Sequence, residues 1–279
     1  MCLALVALQA HPRYELLIAA NRDEFHARVA EPAQWWAEGI LAGRDTVGGG
    51  TWFGVTRSGR WSLITNYREG VPRDPAAPSR GGLVTLALRD EASPLECAAR
   101  LGVDAGRYHG FNLLIGAMVD RARSPSEAET PSRPLGNAAA YVSNRASGAV
   151  ALGSGIHGLS NHLLETPWPK LLRAKARLAA ALSENADPVE GAFALLADRE
   201  RAPPSSLPST GVAEAWERLL SSAFIVHPDY GTRCSTVFTI DVDRVARFVE
   251  RIFDKGGELQ GEVVYRFEVA RSDKSRRLP

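Results

Sequence analysis

Two apolar runs, residues 3–8 and 14–20, decide the fold; both lie in the opening stretch of residues 1–24, MCLALVALQAHPRYELLIAANRDE. The first run is about one strand long, whereas a membrane-spanning helix needs about 20 apolar residues. Both of its faces are apolar, which predicts a strand covered on both sides. The chain is therefore expected to begin inside a covered sheet, although chain termini are usually loose.

Cys2 directly follows the initiator methionine at the head of this strand. Removal of the methionine is expected because the next residue is small, and it gives Cys2 a free α-amine. Such an amine has an unperturbed pKa of about 7.7–8.0 and can accept the proton of the neighbouring thiol near neutral pH. The alternative interpretation is that Cys2 is an ordinary small hydrophobic residue of a strand.

The composition is that of a globular protein, with 279 residues, a net charge of +1 and 45% hydrophobic residues. This near-neutral balance argues against a dedicated nucleic-acid-binding protein. The three cysteines, Cys2, Cys97 and Cys234, do not make a disulfide framework and predict a reducing compartment. Because no secretory signal or membrane span is recognisable, we expect a cytoplasmic protein.

The pattern of apolar residues predicts strands first, then helices, then helices and strands again. Strands are predicted over residues 3–8, 14–20, 52–57, 61–66, 110–119, 141–144, 150–152, 222–226, 235–241, 246–253 and 262–269. Helices are predicted over residues 79–89, 94–101, 168–182 and 188–198. Residues 25–39 are expected to be irregular and residues 121–136 to form a surface excursion. The absence of a repeated βαβ unit favours two antiparallel sheets with helices outside.

One helix is predicted in more detail. Over residues 168–182, the apolar stripe contains Leu171, Leu178 and Leu182, and Lys170 is expected to lie largely outside it. The chain is interpreted as a single domain over residues 1–269 with a polar tail over residues 270–279.

Several motifs together resemble the NRDE family, also called the transport-and-Golgi-organisation family. They are Cys2, residues 21–24 (NRDE), residues 49–52 (GGTW), residues 65–68 (TNYR) and residues 110–114 (GFNLL). This family is similar to the N-terminal-nucleophile hydrolases, closest to the cysteine branch with penicillin V acylase and the bile-salt hydrolases. The resemblance implies an α+β fold, a four-layer αββα sandwich of two antiparallel sheets, and hydrolysis of an amide bond.

The resemblance also implies roles for residues around the thiol. Cys2 matches the nucleophile, Arg22 an arginine that lowers the thiol pKa, and Asp23 an aspartate that orients the α-amine. In the acylase branch this arginine and aspartate are spaced apart, whereas here they are adjacent, so that only one of them is expected to face Cys2. The alternative is that Arg22 and Asp23 form a salt-bridged strand end.

Three further residues resemble the rest of the catalytic set. Asn66 matches the asparagine of an oxyanion hole, which holds the charge that develops on a tetrahedral intermediate. Asn161 resembles a second asparagine of the acylases, and Arg233 a distal arginine. Each also has a structural alternative, such as a turn asparagine at a strand end.

A second group of residues is predicted to bind substrate: Asn21, Gly49, Gly50, Thr51, Trp52 and Tyr67. The glycines allow a close approach of the backbone. A phosphate loop is not predicted, since no Gly-Lys-Ser/Thr follows them.

The histidines show no metal-ligand spacing, and neither a metal nor a cofactor is predicted. His157 or His227 is retained as an alternative partner for Cys2 in a papain-like pair, which needs no free amine.

The predicted function is an N-terminal-nucleophile cysteine amidohydrolase for a small amide or acyl substrate. The alternative is a non-catalytic carrier on the same fold, for haem or for a lipid-like or acyl-coenzyme-A-like ligand. Four tryptophans, Trp35, Trp36, Trp52 and Trp61, are candidates for an apolar ligand pocket. A scaffold role with a vestigial site is a third possibility.

Overall fold

The computed structural model describes residues 2–71, 74–120, 135–184 and 187–270, which contain thirteen strands and five α-helices. The strands are β1 (Cys2–His11), β2 (Tyr14–Phe25), β3 (Ala30–Trp35), β4 (Ile40–Asp45), β5 (Phe53–Thr56), β6 (Trp61–Asn66), β7 (Phe111–Asp120), β8 (Leu135–Ser143), β9 (Ala149–Leu152), β10 (Gly155–Leu159), β11 (Tyr230–Asp241), β12 (Val245–Phe253) and β13 (Leu259–Glu268). The helices are α1 (Gly81–Arg89), α2 (Pro94–Val103), α3 (Pro169–Ser183), α4 (Pro188–Leu196) and α5 (Glu214–Leu219). The predicted surface excursion and polar tail fall almost entirely outside the described residues.

The strands form two sheets in which every neighbouring pair is antiparallel. The first sheet has the order β10-β1-β2-β11-β12-β13, and the second has the order β3-β4-β5-β6-β7-β8-β9. The opening strand β1 is therefore an interior strand, paired on both sides by β10 and β2. The predicted pair of antiparallel sheets is confirmed.

Three hydrophobic cores separate the layers. Alternate residues of β1 point to opposite faces: Val6 packs between the two sheets, whereas Leu5 packs with residues of α3 and α4. A third core joins the outer face of the second sheet to α1 and α2. The layers thus run helices, sheet, sheet, helices, and the predicted four-layer αββα sandwich is confirmed.

Two local predictions were wrong, those for residues 25–39 and 222–226, and β4, β10 and α5 were not predicted. β3 was expected to be irregular because, as an edge strand with an exposed face, it lacks an apolar alternation. The short strand β10, which contains His157, and the six-residue helix α5 carry too few apolar residues to show a period. Residues 222–226 are irregular, and all of them except Val226 are buried. Asn21 and Thr232 make hydrogen bonds to Ala223 and Ile225 that a neighbouring strand would otherwise make.

None of the helices in the described ranges is long and apolar enough to cross a membrane.

The loop before β5 is packed directly against the start of α1, and Gly50 makes this contact possible. A Cβ atom on Gly50 would lie 2.7 Å from the carbonyl oxygen of Gly81. We therefore expect Gly50→Ala to lower the free energy of unfolding by about 1–3 kcal/mol, because two backbone segments must separate. Urea unfolding measures the change.

The matched control is Gly82→Ala, one residue further into α1. A Cβ atom there would meet nothing within 4 Å, so that this variant should be as stable as the parent or slightly more stable. Equal urea midpoints for the Gly50→Ala and Gly82→Ala variants would contradict this description of the contact.

Candidate active site

The register of three neighbouring strands places Cys2 beside Arg22. Cys2 of β1 lies opposite Arg22 of β2, and Arg22 lies opposite Cys234 of β11. Directly opposed residues of antiparallel strands project their side chains to the same face, here the face toward the second sheet. Alternation along β2 sends Asn21 and Asp23 to the other face, toward the helices. Of the adjacent Arg22 and Asp23, it is Arg22 whose side chain shares a face with that of Cys2.

Cys2 is half-buried and lines a cavity of about 80 Å³, called the small cavity below. Both sheets and the start of α1 contribute to its wall, which consists of Cys2, Arg22, Asp23, Glu24, Arg28, Asp45, Thr51, Trp52, Ile64, Asn66, Ser79, Arg80 and Gly81. Since this wall contains no histidine, the papain-like pair of Cys2 with His157 or His227 gains no support from the geometry.

Arg22 is a buried cation held by an aromatic ring. Its guanidinium carbon lies 4.5 Å from the centre of the Trp52 ring, and its residue is only 5% exposed. No side chain or backbone group of the described residues accepts a hydrogen bond from it. A buried guanidinium with an aromatic partner and free donors is suited to an anionic or partly anionic group of a ligand.

Burial raises the pKa of the Cys2 thiol above its ordinary value. The Arg22 cation and a hydrogen bond from the backbone of Asp23 act in the opposite direction, but their effect on this pKa is smaller. The thiol is therefore protonated near neutral pH and needs a base to become a nucleophile. The freed α-amine of Cys2 would be such a base.

A chain of hydrogen bonds fixes Cys2 across the interface between the sheets. Ser160 donates its hydroxyl to the Cys2 carbonyl (3.2 Å), and Thr65 donates to the Ser160 carbonyl (2.7 Å). Asn112 donates to the Thr65 hydroxyl (3.2 Å) and accepts from Tyr141 (2.8 Å). Because these groups are buried and satisfy one another's hydrogen bonds, the network fixes the position of β1 relative to β6, β7 and β8 of the other sheet.

Asn66 lies at the end of β6, where it lines the small cavity. Its side-chain amide has no hydrogen-bond partner among the described residues, so that its donors are available to a ligand. Its carbonyl accepts a hydrogen bond from the Asn161 amide (3.0 Å). Asn161 is completely buried and does not line the small cavity, and its position is that of a support for Asn66.

Asp23 is anchored on the helix side of β2. Thr232 donates to its carboxylate (2.7 Å), and the Tyr230 hydroxyl donates to its carbonyl (2.9 Å). Burial raises the pKa of the Asp23 carboxyl, whereas nearby positive charge, including that of Lys170, and the Thr232 hydrogen bond oppose this rise.

Lys170 is the residue that the sequence placed wrongly. It is the second residue of α3 and is only 2% exposed, instead of lying outside the buried stripe. Its ammonium has no hydrogen-bond partner among the described residues. Burial lowers the pKa of Lys170 to about 8. Nothing in the sequence signalled this, since a lysine early in a helix normally faces solvent.

Arg233 lies apart from Cys2. It lines a second small space of about 40 Å³ with Arg22, Cys234 and Glu250, and its guanidinium contacts His26 (2.6 Å). Arg22 thus separates the space beside Arg233 from the cavity beside Cys2. A catalytic role for Arg233 stays a prediction that this position does not favour.

The predicted binding residues divide into two groups. Thr51 and Trp52 line the small cavity, but Gly49 and Gly50 do not, and the close approach at Gly50 is to the backbone of α1. Asn21 is fully buried, where its amide donates to the carbonyls of Leu196 and Ala223 (both 2.8 Å).

A larger cavity of about 300 Å³ adjoins the small cavity and shares Glu24, Asn66 and Arg80 with it. Its wall consists of Glu24, Phe25, Asn66, Tyr67, Arg68, Glu69, Val71, Arg80, His109, Gly110, Val212, Trp216, Leu220 and Tyr230. Three of these, Phe25, Trp216 and Tyr230, form one aromatic cluster. Tyr67 also belongs to the wall, and its hydroxyl contacts His162 (2.7 Å).

The four tryptophans singled out from the sequence do not form one pocket. Trp61 and Trp36 are buried in different cores, and Trp35 packs against Phe267. Only Trp52 lines the small cavity. The prediction of haem binding therefore gains no support from these side chains. Within the described ranges, histidine, cysteine and acidic side chains form no cluster suited to a metal ion.

Sequence reasoning missed the aromatic Trp216 and the start of α1, which contributes Ser79, Arg80 and Gly81. The sequence did contain a signal for the start of α1, because a helix start beside a glycine-rich loop exposes unpaired N–H groups. Trp216 gave no signal, since the six-residue helix α5 carries too few apolar residues to show a period.

The ion pair of Arg68 with Glu217 supports the wall of the larger cavity. Both side chains are nearly inaccessible, and the Arg68 guanidinium also lies 4.6 Å from the Trp168 ring centre. We expect Glu217→Gln to lower the free energy of unfolding by about 3 kcal/mol, because it leaves the Arg68 cation buried without its counter-ion. Denaturant unfolding at pH 7 measures the effect.

The control is Glu38→Gln, which breaks the exposed pair with Arg89. Its effect on unfolding should stay below about 0.5 kcal/mol, because water screens the pair. Similar small losses in both variants would show that the buried pair is not a structural support.

Comparisons of the sequence with known proteins agree with the motifs. A family model described as Transport and Golgi organisation 2 matches residues 1–255. The Transport and Golgi organization protein 2 homologs of Bos taurus and Homo sapiens are each 33% identical to this chain, over 90% of it and 92% of theirs. A solved structure of the Caenorhabditis elegans N-acylethanolamine-hydrolyzing acid amidase ortholog has a TM-score of 0.48 at 10% identity, covering 85% of this chain and 92% of that one. The chain belongs to the Transport and Golgi organisation 2 family.

Proposed function

We propose that this chain is an N-terminal-nucleophile cysteine amidohydrolase that cleaves a small amide with an apolar acyl group. The observation that carries the proposal is the position of the Cys2 thiol at the head of an interior strand. There it lines one cavity with the partner-free amide of Asn66 and the buried cation of Arg22. A nucleophile, a donor for an oxyanion and a source of positive charge are the parts that acyl transfer requires.

The proposed reaction begins after removal of Met1. The α-amine of Cys2 takes the thiol proton, and the sulfur attacks the carbonyl carbon of the substrate. Asn66 donates to the oxygen that becomes negative, near the Arg22 cation. The C–N bond then breaks, the leaving amine takes the proton from the α-ammonium, and the acyl group remains as a thioester. Water hydrolyses the thioester with the same amine as base, which yields the carboxylic acid and restores the thiol.

Asp23 and Asn161 are proposed to act without touching the substrate. Asp23 would stabilise the α-ammonium that forms during attack, and Asn161 holds the backbone of Asn66. The proposed setting is a reducing compartment such as the cytoplasm, which the three free cysteines support.

Replacement of the nucleophile gives the direct test. We expect wild-type protein to form a covalent adduct with an amide-mimicking electrophile, and Cys2→Ala to lose this adduct while keeping the circular-dichroism spectrum and the melting temperature. Intact-mass measurement follows the adduct, and the same spectrum reports whether Met1 has been removed.

Cys97→Ala is the control, because Cys97 is fully buried and its pKa is raised to about 11 by burial. It should label as wild type does. Equal labelling of the Cys2→Ala and wild-type proteins would contradict the assignment of the nucleophile.

The larger cavity is the proposed acyl pocket. Its aromatic wall and its volume of about 300 Å³ suit a chain of several methylene groups or a bicyclic ring. For a series of amides with one leaving amine, kcat/KM should rise by about fourfold per added methylene until the pocket is full. Val212→Phe narrows the wall and should shorten the optimal acyl group.

Val242→Phe provides the matched control, since Val242 is 49% exposed and lies away from both cavities. It should leave the preferred acyl length unchanged. If the preferred acyl length changed equally in both variants, or changed in neither, the acyl group would bind outside the larger cavity.

The same apolar cavity favours a second candidate function, a carrier for a lipid-like acyl ligand. A carrier would bind the ligand equally well in the wild-type and Cys2→Ala proteins and would form no acyl-enzyme in either.

A further inference from the structure

One edge of the first sheet is a long strand that is paired on one side only. β13 pairs with β12, and in the part of the chain that the structure describes no strand lies on its other side. The backbone N–H and C=O groups that point out from this edge can therefore pair with another extended strand. Natural edge strands are usually short, interrupted or covered, which prevents such pairing.

The other three edges among the described residues are protected in these ways. β3 contains Pro32 and an irregular register between Glu31 and Gln34, and a proline cannot donate a hydrogen bond to a neighbouring strand. β9 has four residues and β10 has five. β13 has ten residues and no proline, so that it offers a second strand the most room to pair.

The side chains on one face of β13 form a pattern that is complementary to itself. Glu262, Val264 and Arg266 are exposed on this face, which is the helix side of the sheet because Val264 lies opposite Val249 of the core beneath α3 and α4. If a second copy of β13 runs antiparallel with its own Val264 opposite this Val264, then Glu262 lies opposite Arg266 of that copy. The two-fold symmetry repeats this pair, so that two ion pairs flank a central apolar contact.

Arg266 has no acidic partner among the described residues of its own chain. The residue directly opposite it on β12 is another cation, Arg247, which pairs with Asp187. Like charges that lie directly opposite each other destabilise the pairing of two strands. A carboxylate from a second copy would supply the counter-ion that Arg266 lacks.

Glu262 is able to serve both copies. Its Oε2 atom accepts a hydrogen bond from Arg251 (2.8 Å), and its side chain is 38% exposed. A carboxylate has two oxygens and can accept from two cations at once. Its Oε1 atom has no partner in the described ranges and is therefore available to Arg266 of a second copy.

The opposite face of β13 would also gain contacts. Val263 and Tyr265 pack against the core between the two sheets but are only partly buried. In the same antiparallel register, Val263 lies opposite Tyr265 of the second copy. Pairing would therefore remove apolar surface from water on both faces of the strand.

We propose that β13 is the contact through which two copies of this chain form a dimer with two-fold symmetry. The two strands pair antiparallel about Val264 and join the first sheets of both copies into one continuous sheet. The partner is a second copy and not an unrelated strand, because the charges of Glu262 and Arg266 are matched by the same strand in reverse. The dimer is independent of the proposed hydrolase function, since β13 contributes no residue to either cavity of the site.

Charge reversal tests this contact. Glu262→Arg and Arg266→Glu each place like charges opposite each other twice per dimer, and each should raise the dimer dissociation constant by about tenfold or more. An equimolar mixture of the two variants restores both opposite-charge pairs and should form a mixed dimer about as readily as wild type. Sedimentation velocity over a concentration series measures the dissociation constants, and circular dichroism reports whether each variant is folded.

Cysteine cross-linking tests the register. Directly opposed residues have Cβ atoms about 4.5–5.5 Å apart, so that Val264→Cys should form a disulfide-linked dimer under mild oxidation. Glu268→Cys is the matched control on the same face: it would lie about 27 Å from its counterpart in the second copy and should not cross-link. Both are made in a Cys2→Ala background, because the other two native thiols are buried.

Each outcome decides. Loss of the dimer in both charge reversals with recovery in the mixture, together with cross-linking at residue 264 and not at residue 268, supports the antiparallel contact. A wild-type chain that stays monomeric at every concentration overturns the proposal. A dimer that resists both reversals, or whose Val264→Cys copies do not cross-link, forms through another surface and overturns it as well. If a reversal variant does not fold, the cross-linking comparison decides alone.

Discussion

The pairing of β2 between β1 and β11 is the constraint on which the site depends. This pairing carries the polar residues Asn21, Arg22 and Asp23 into the covered centre of a sandwich, where each is less than one-tenth exposed. Buried polar groups must find partners, and neighbouring parts of the chain supply them: the carbonyls of Leu196 and Ala223 for Asn21, an aromatic ring for Arg22, and a threonine for Asp23. Residues 21–24 thus connect β1 with β11 and also form part of the wall of the small cavity beside Cys2.

Strand alternation then gives the two charges of β2 different environments. Arg22 faces the second sheet, where its guanidinium lies over the Trp52 ring, and it shares the wall of a small space with Glu250. Asp23 faces the helices, where Thr232 donates a hydrogen bond to its carboxylate. The thiol of Cys2 and the cation of Arg22 lie on one face of the sheet, and the carboxylate of Asp23 lies on the other face. The sheet itself therefore separates the two charges. The adjacency of the two residues, which departs from the spacing in the acylase branch, has this separation as its consequence.

Asn66 lies between the small cavity beside Cys2 and the larger cavity. It is shared by both cavities, and Asn161 fixes its backbone from within the protein. The hydrogen-bond network through Thr65, Asn112 and Tyr141 keeps the two sheets from sliding past each other at this point. A donor held against a rigid frame needs little reorganisation when charge develops near it. The proposed acyl transfer requires such a donor.

The sequence by itself determined the succession of most strands and helices along the chain and the covered opening strand. Through a family resemblance it also determined the sandwich architecture and the neighbourhood of Cys2, Arg22 and Asn66. These follow from local periods and contiguous motifs, which one stretch of chain carries alone. Only the tertiary structure decided the rest: that Arg233 lies beyond Arg22, that Asn21 closes a buried loop, that Trp216 lines a cavity, and that Lys170 is buried. Each of these depends on contacts between residues far apart in sequence, and the burial of a polar side chain is fixed by the partner that meets it and not by its own neighbours in the chain.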